Sequence, residues 1–323
     1  MRDALGAAAA GIERGRPPRA GGGGDEGEEE ERLSHGCASI ARMASDAWLE
    51  TYRGTVFRWE VDHNDHFTVA YYLARIADAA RALLHALAAA PAPTIDCFIN
   101  YRRELRTGDV MHVLSGVIGT DGESLLLGHK LFDSASGELC TTVEHRVATK
   151  LGAAAPTAVE ARLVSWDGPI RETRPRPSRL DGLRDAARDT VRPDEVDSTG
   201  QLALSAAVQR FSASNAHVLT AFGLTPAYMR EQRRGFSTFE FQLAMGGAVG
   251  PGDPLVVRSG LVRLGTSSMR ILHVMTDART GAEVASLHQS GVHFDQDRRR
   301  PIPLPDDLRT RALAVLVPTA QGL

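Results

Sequence analysis

The chain has 323 residues, 43% hydrophobic and 24% charged, with a formal net charge of −3. That balance supports a packed core, predicts about two domains and argues against a basic nucleic-acid binder. No stretch reaches the ~20 apolar residues of a membrane span; the most apolar run, Ala79–Ala90, is broken by Arg81 and His85. Cys37, Cys97 and Cys140 form no CxxC pair, so they read as small buried fillers in a reducing cytoplasm, without a disulfide framework or structural zinc.

Residues 1–45 contain an alanine run and GRPPRAGGGGDEGEEEER, with no apolar signal core. They predict a disordered tail rather than a secretory leader, and Glu28–Glu31 a solvated acidic block. Thr55–Val61 alternates and predicts a strand. Val69–Ala90 carries Val69, Tyr72, Leu73, Ile76, Ala80, Leu83, Leu84 and Leu87 at helical spacing, which predicts one long amphipathic helix ended by Pro91 and Pro93. Strand-like runs follow at Thr94–Leu105, Val110–Ile118, Ser124–Asp133 and Leu139–Lys150, separated by turn signals.

Residues 151–200 are rich in Pro and Arg and read as a linker able to pack on the domain surfaces, with Leu180–Thr190 as a short helix. A second block then predicts a strand at Ala203–Arg210 and a helix at Val218–Glu231. Strands follow at Gly235–Met245, Leu255–Val262, Ser268–Asp277 and Glu283–Phe294. Residues 306–323 read as a C-terminal tail. Gly108-Asp109 recurs as Gly252-Asp253, and His129, Asp133 and Gly137 recur as His273, Asp277 and Gly281, all 144 positions on. Repeated residues in a repeated element order predict a duplication. The fold class is α+β: residues 46–150 and 201–305 each form a curved antiparallel sheet around one long helix, paired with pseudo-two-fold symmetry.

The densest polar cluster is Asp62-His63-Asn64-Asp65-His66, just before the first helix. Free N–H groups at a helix start can polarise a carbonyl oxygen, and a carboxylate with an imidazole can do acid–base or nucleophilic work. Capping residues alone would give the same local pattern. Glu104, before Arg106-Thr107-Gly108-Asp109, reads either as a catalytic carboxylate or as a surface partner of arginine. Arg298-Arg299-Arg300 reads either as a contact for a phosphate or as a solvated strand end. Asn215-x-His217 echoes Asn64-x-His66, with Ala213 and Ala248 standing where the first block has Asp62 and Glu104. Glu240 is a candidate substitute carboxylate. The matched His129 and His273 read as structural, and His145, His288 and His293 have no metal-ligand spacing. Gly21–Gly24 lacks the following Lys of a phosphate loop.

Asp62-x-Asn64-x-His66 followed by Val69-Ala70-Tyr71-Tyr72 resembles the hotdog-fold acyl-CoA thioesterase superfamily, including its betainyl-CoA and 4-hydroxybenzoyl-CoA types. Tyr101-Arg102-Arg103-Glu104-Leu105 resembles a second motif, found in acyl-carrier-protein thioesterases. The resemblance covers residues 50–150 and, more weakly, 203–305. It implies a tandem (double) hotdog that hydrolyses an acyl-CoA or acyl-carrier-protein thioester to a carboxylic acid and free thiol, in lipid metabolism.

The implied catalytic set is Asp62, Asn64, His66 and Glu104. Glu104 would be general base or nucleophile, Asn64 and His66 would orient the carbonyl or water, and Asp62 would fix the loop. No metal or redox cofactor is implied. The partner is the small-molecule acyl-CoA substrate, with no nucleic acid or membrane, and homo-oligomers are left open. Asp65 replaces the motif's usual Gly, Thr68 its Asn, and Leu105 the Cys of the plant enzymes. Two other functions fit the same residues: an enoyl-thioester hydratase or dehydratase, and a non-catalytic acyl-CoA-binding protein.

Overall fold

The computed structural model describes residues 47–62, 65–149, 155–177 and 179–319. The predicted N-terminal tail lies outside them. In chain order the elements are β1 (Leu49–Thr55), α1 (Val69–Ala86), β2 (Thr94–Tyr101), β3 (Val110–Thr120), β4 (Ser124–Asp133), β5 (Leu139–Ala148) and α2 (Ala155–Glu160). There follow β6 (Arg184–Thr190), α3 (Leu204–Ala221), α4 (Pro226–Glu231), β7 (Arg234–Met245), β8 (Pro254–Leu264), β9 (Ser268–Asp277), β10 (Glu283–Asp295), β11 (Arg300–Pro301) and α5 (Asp306–Ala314).

All eleven strands join one antiparallel sheet in the order β1-β3-β4-β5-β2-β7-β10-β9-β8-β6, with β11 on β10. The halves meet at the central β2–β7 pair, in register from Asp96↔Ala244 to Asn100↔Glu240. The two 18-residue helices α1 and α3 pack on each other. A shared core runs through both halves, with Leu73, Ile76, Phe211, Phe241 and Leu287 fully buried.

The repeat has two offsets. The buried Ser115–His129 contact of 2.7 Å recurs as Ser259–His273, also 2.7 Å, at the 144-residue spacing read in the sequence. Elements before the meander match at 135 instead. β1 matches β6, α1 matches α3, and the 3-10 turn Arg58–Glu60 matches Pro193–Glu195. The ion pair of Arg75 with buried Glu60 recurs as Arg210–Glu195. The nine extra residues fall between the second helix and its meander, where α4 sits.

Several elements therefore correct the sequence reading. The first strand is Leu49–Thr55, and the 3-10 turn Arg58–Glu60 lies within Thr55–Val61. The predicted strand Ala203–Arg210 is the first half of α3. Leu180–Thr190 contains β6, the second half's first strand, rather than a helix. Residues 306–314, read as tail, form α5 and bury Leu308 and Ala312. The Pro/Arg-rich segment is tied to the sheet: Trp166 Nε1 donates to Glu144 (2.9 Å), Lys130 pairs with Asp167 (2.7 Å), and Arg176 pairs with Glu283 (2.9 Å). Gly116 is required here, because a Cβ at that position would meet a Val164 methyl at 2.7 Å.

Candidate active site

The loop before α1 is closed by its own polar groups. The Asp62 carboxylate accepts the His66 backbone N–H at 3.0 Å, and the Asp62 N–H donates to the His66 carbonyl at 2.8 Å. Asp65 takes φ 60° at the tightest point. Asp tolerates that left-handed conformation better than most non-glycine residues, which explains how it can stand where the resembling motif has Gly. Its carboxylate accepts the Thr107 hydroxyl at 2.6 Å, and this bond holds it below the usual carboxylate range. Asn64, the fourth member of the implied set, lies outside the described residues.

Glu104 follows the end of β2. Arg102 and Arg103 N–H groups both donate to the Cys140 carbonyl (2.8 and 3.1 Å), which turns the chain out of the strand. Buried Leu105 then anchors it: its carbonyl accepts the Phe67 N–H at 2.8 Å, and its own N–H donates to the Tyr72 hydroxyl at 3.2 Å. Between these fixed points the Glu104 carboxylate meets His66, with Oε2 3.2 Å from Nε2. The same oxygen accepts Arg299 Nη2 at 2.8 Å.

Arg299 belongs to the turn between β10 and β11, in the other half, and takes φ 50°. The Asp295 carboxylate fixes that turn by accepting the Asp297 and Arg298 N–H groups at 3.1 and 2.9 Å. Sequence reasoning left Arg299 as one of three basic residues without choosing it. The signal available was the arginine run alone, 195 positions from Glu104.

These side chains line a cavity of ≈ 640 Å³ between the halves. Asp62, His66, Thr68, Val69 and Glu104 stand on one wall, and residues of α3, β7 and β10 form the other. Thr68 makes no side-chain cap on α1, so its hydroxyl does not cover the helix's first N–H groups. An anion or a polarised carbonyl oxygen is favoured at such a helix start. The arrangement thus sets a carboxylate, an imidazole and an electropositive helix end around one opening.

The second half differs from its sequence reading. Asn215 and His217 lie inside α3 and do not echo the loop. At the 135 offset the loop's counterpart is Asp197–Gln201, with the same bonds: Asp197 Oδ1 accepts the Gln201 N–H at 3.2 Å, and the Asp197 N–H donates to the Gln201 carbonyl at 2.9 Å. Asp62 therefore matches Asp197, not Ala213, and His66 matches Gln201. Gln201 is buried and exchanges two 3.0 Å hydrogen bonds with the backbone of Thr94, a residue that lines a smaller recess of ≈ 140 Å³ on that side. Glu240 is no substitute carboxylate: it is buried and bound by both Nη2 and Nε of Arg174, at 2.8 and 3.1 Å.

Other singled-out residues are structural in their contacts. Cys97 and Cys140 are buried free thiols, and burial pushes both thiols up. His129 and His273 are wholly buried, and burial holds His129 well below the normal imidazole value and His273 down to about 3. Among the described residues no group of three or more His, Cys, Asp or Glu could hold a metal ion, and no helix is long and apolar enough to cross a membrane.

The family model of the thioesterase-like superfamily matches residues 56–166 and 191–312, which is more than half of the chain. No curated protein matches by sequence. Among solved structures, an acyl-ACP thioesterase from Bacteroides thetaiotaomicron aligns with TM-score 0.58 at 12% identity, over 77% of this chain and 99% of its own. A Lactobacillus plantarum protein named as an oleoyl thioesterase aligns with TM-score 0.60 at 12% identity, over 81% of this chain and 100% of its own. The 12:0-ACP thioesterase from Umbellularia californica gives 0.57 at 10%, over 76% and 94%. At these identities the likeness is one of fold, the hotdog fold in two repeated halves.

Proposed function

Given that this chain belongs to the thioesterase-like superfamily, we propose that it hydrolyses an acyl thioester, of coenzyme A or of a carrier protein's pantetheine arm, to a carboxylic acid and a free thiol. The observation that carries this reading is the meeting of Glu104 and His66 at 3.2 Å beside the start of α1. The thioester carbonyl would lie at the helix start, its oxygen polarised by N–H groups of the first turn. Glu104 then has two productive routes. It can take a proton from water, whose oxygen adds to the carbonyl carbon, or it can attack that carbon itself. On the first route the C–S bond then breaks, the leaving thiolate takes the proton held by Glu104, and the acid is released. On the second the thiolate leaves as an acyl–Glu104 anhydride forms; water then splits the anhydride into the acid and free Glu104, and the thiolate takes up the released proton. No step calls for a metal or redox group.

His66 Nε2 meets the reactive carboxylate, so its task is to aim Glu104 or the water that it activates. Asp62 bonds the loop backbone, and its task is to hold His66 in place. Glu104→Gln and Asp62→Ala should each lower thiol release from a preferred acyl-CoA by about a hundredfold or more. A thiol-trapping assay over acyl-CoA and acyl-carrier-protein substrates measures this. Full activity in both variants would remove the proposed site. Double-bond absorbance changing without thiol release would point to hydratase chemistry instead. Saturable binding of the esters without turnover would make the chain a binding protein.

A further inference from the structure

The large cavity carries both apolar and neutral polar surface beside the Glu104–His66 pair. Phe67, Val69, Tyr72 and Tyr101 from the first half and Phe236 and Phe294 from the second are its apolar part, and the second half's wall adds Ser212 and Asn215 from α3, Thr238 from β7 and Gln289 from β10. The molecule holds its own control for that second wall. In the small recess, related to the cavity by the duplication, α1 presents Ala77 and Ala80 at the positions matching Ser212 and Asn215. Packing of a helix at this place is therefore satisfied by alanine, and something other than packing accounts for the serine and the asparagine.

The polar groups on this wall are partly committed and partly not. Gln289 is fixed from behind, with its Oε1 3.3 Å from Nε2 of buried His273, and its Nε2 donates to Thr238 Oγ1 at 2.7 Å. Thr238 thus accepts from Gln289 and keeps its own hydroxyl proton to give. Asn215 Oδ1 is buried with no hydrogen-bond partner, and so is the Tyr101 hydroxyl on the opposite side. Such groups carry a penalty that a ligand can remove by bonding to them, whereas a saturated chain laid against them would leave it in place.

Resting on the thioester-hydrolase reading above, we infer that the preferred acyl group is not a plain hydrocarbon chain but carries a hydrogen-bonding substituent, such as a hydroxyl, that faces α3. The aromatic and aliphatic lining takes the carbon skeleton, and Ser212 and Asn215 take the substituent. Asn215 and Ser212 are then specificity residues. They act on the acyl group's polar substituent and not on the reacting carbonyl.

The test is a set of matched pairs: butanoyl-, hexanoyl-, octanoyl- and decanoyl-CoA, each against its 3-hydroxy and terminal-hydroxy forms, followed by thiol release. For at least one chain length a hydroxylated member should show kcat/KM about tenfold or more above the plain member. In the Ser212→Ala/Asn215→Ala double variant, which copies the residues of α1, that ratio should fall to about one. Because the ratio is taken within one protein preparation, a general loss of folded enzyme cancels. The inference is overturned if the plain chain is favoured at every length, or if the ratio survives the double substitution. Those outcomes leave the hydrolase reading standing. Absence of thiol release by the wild-type protein from every ester and carrier-protein substrate would instead overturn that reading, and this inference with it.

Discussion

Arg299 shows how a single side chain can be held at some conformational cost for the sake of what it reaches. A non-glycine residue at φ 50° is disfavoured by roughly 1–2 kcal/mol. The Asp295-capped turn nevertheless keeps it there, and the guanidinium arrives on Glu104. Stability and activity should separate at this position. Arg299→Gly removes the backbone strain, so its Tm should equal or exceed that of the wild type. It also removes the charge-assisted bond to Glu104, and kcat/KM for thiol release should fall about tenfold. Arg299→Lys should fall between the two in activity. Calorimetry and the thiol assay on the three proteins check this, and a parallel fall of Tm and activity in the glycine variant would mean the arginine is merely structural. His66 and Glu104 could be singled out from the sequence because two short motifs carry them in order. Arg299 could not, since nothing local distinguishes it from Arg298 or Arg300.

Elements that bury one face announced themselves in the sequence, and elements in other surroundings did not. In Ser124–Asp133 and Ser268–Asp277 every second residue, counted from Leu125 and from Met269, is buried, and the structure places both strands with the predicted bounds. β6 reads RDAARDT, with little apolar alternation because it is an edge strand with five of seven residues exposed. The first turns of α3 were misread for the opposite reason. Leu204, Ala206, Ala207, Val208, Arg210 and Phe211 are all buried, since α1 covers that helix as well as the sheet, and their spacing imitates a strand.

The strands also set a pH limit. Burial pushes His145 and His288 down to about 4 and His273 to about 3, and holds His129 well below the normal imidazole value. Unfolded chains protonate these rings near pH 6.5 and the folded protein does not. Stability is therefore full above pH 6.5 and falls as the pH drops toward each folded value, by roughly 1.4 kcal/mol per pH unit per histidine. Urea unfolding at pH 7 and pH 5 should show that loss, and His145→Gln should lessen it.

At the scale of the molecule, the two halves share one sheet and one core, so neither is complete alone. Gln201 reinforces this from the second half's counterpart of the Asp62–His66 loop. Its side chain takes the Thr94 N–H and gives a proton to the Thr94 carbonyl, joining residues 107 positions apart. Both partners are buried, so Gln201→Ala should cost about 1–3 kcal/mol in urea unfolding. Thiol release per folded molecule should change far less, because Gln201 does not line the cavity that holds Glu104. A fall in turnover as large as that of Glu104→Gln would mean that the small recess is itself catalytic.

That both halves belong to one chain has one more consequence. In an assembly of two identical copies, every amino-acid change appears twice, and whatever suits one opening is imposed on the other. Covalent fusion lifts that constraint. One half can hold serine and asparagine where the other has alanines, and lend its neighbour an arginine, while the other holds the glutamate. The asymmetry between two once-equivalent clefts is the freedom that fusion confers.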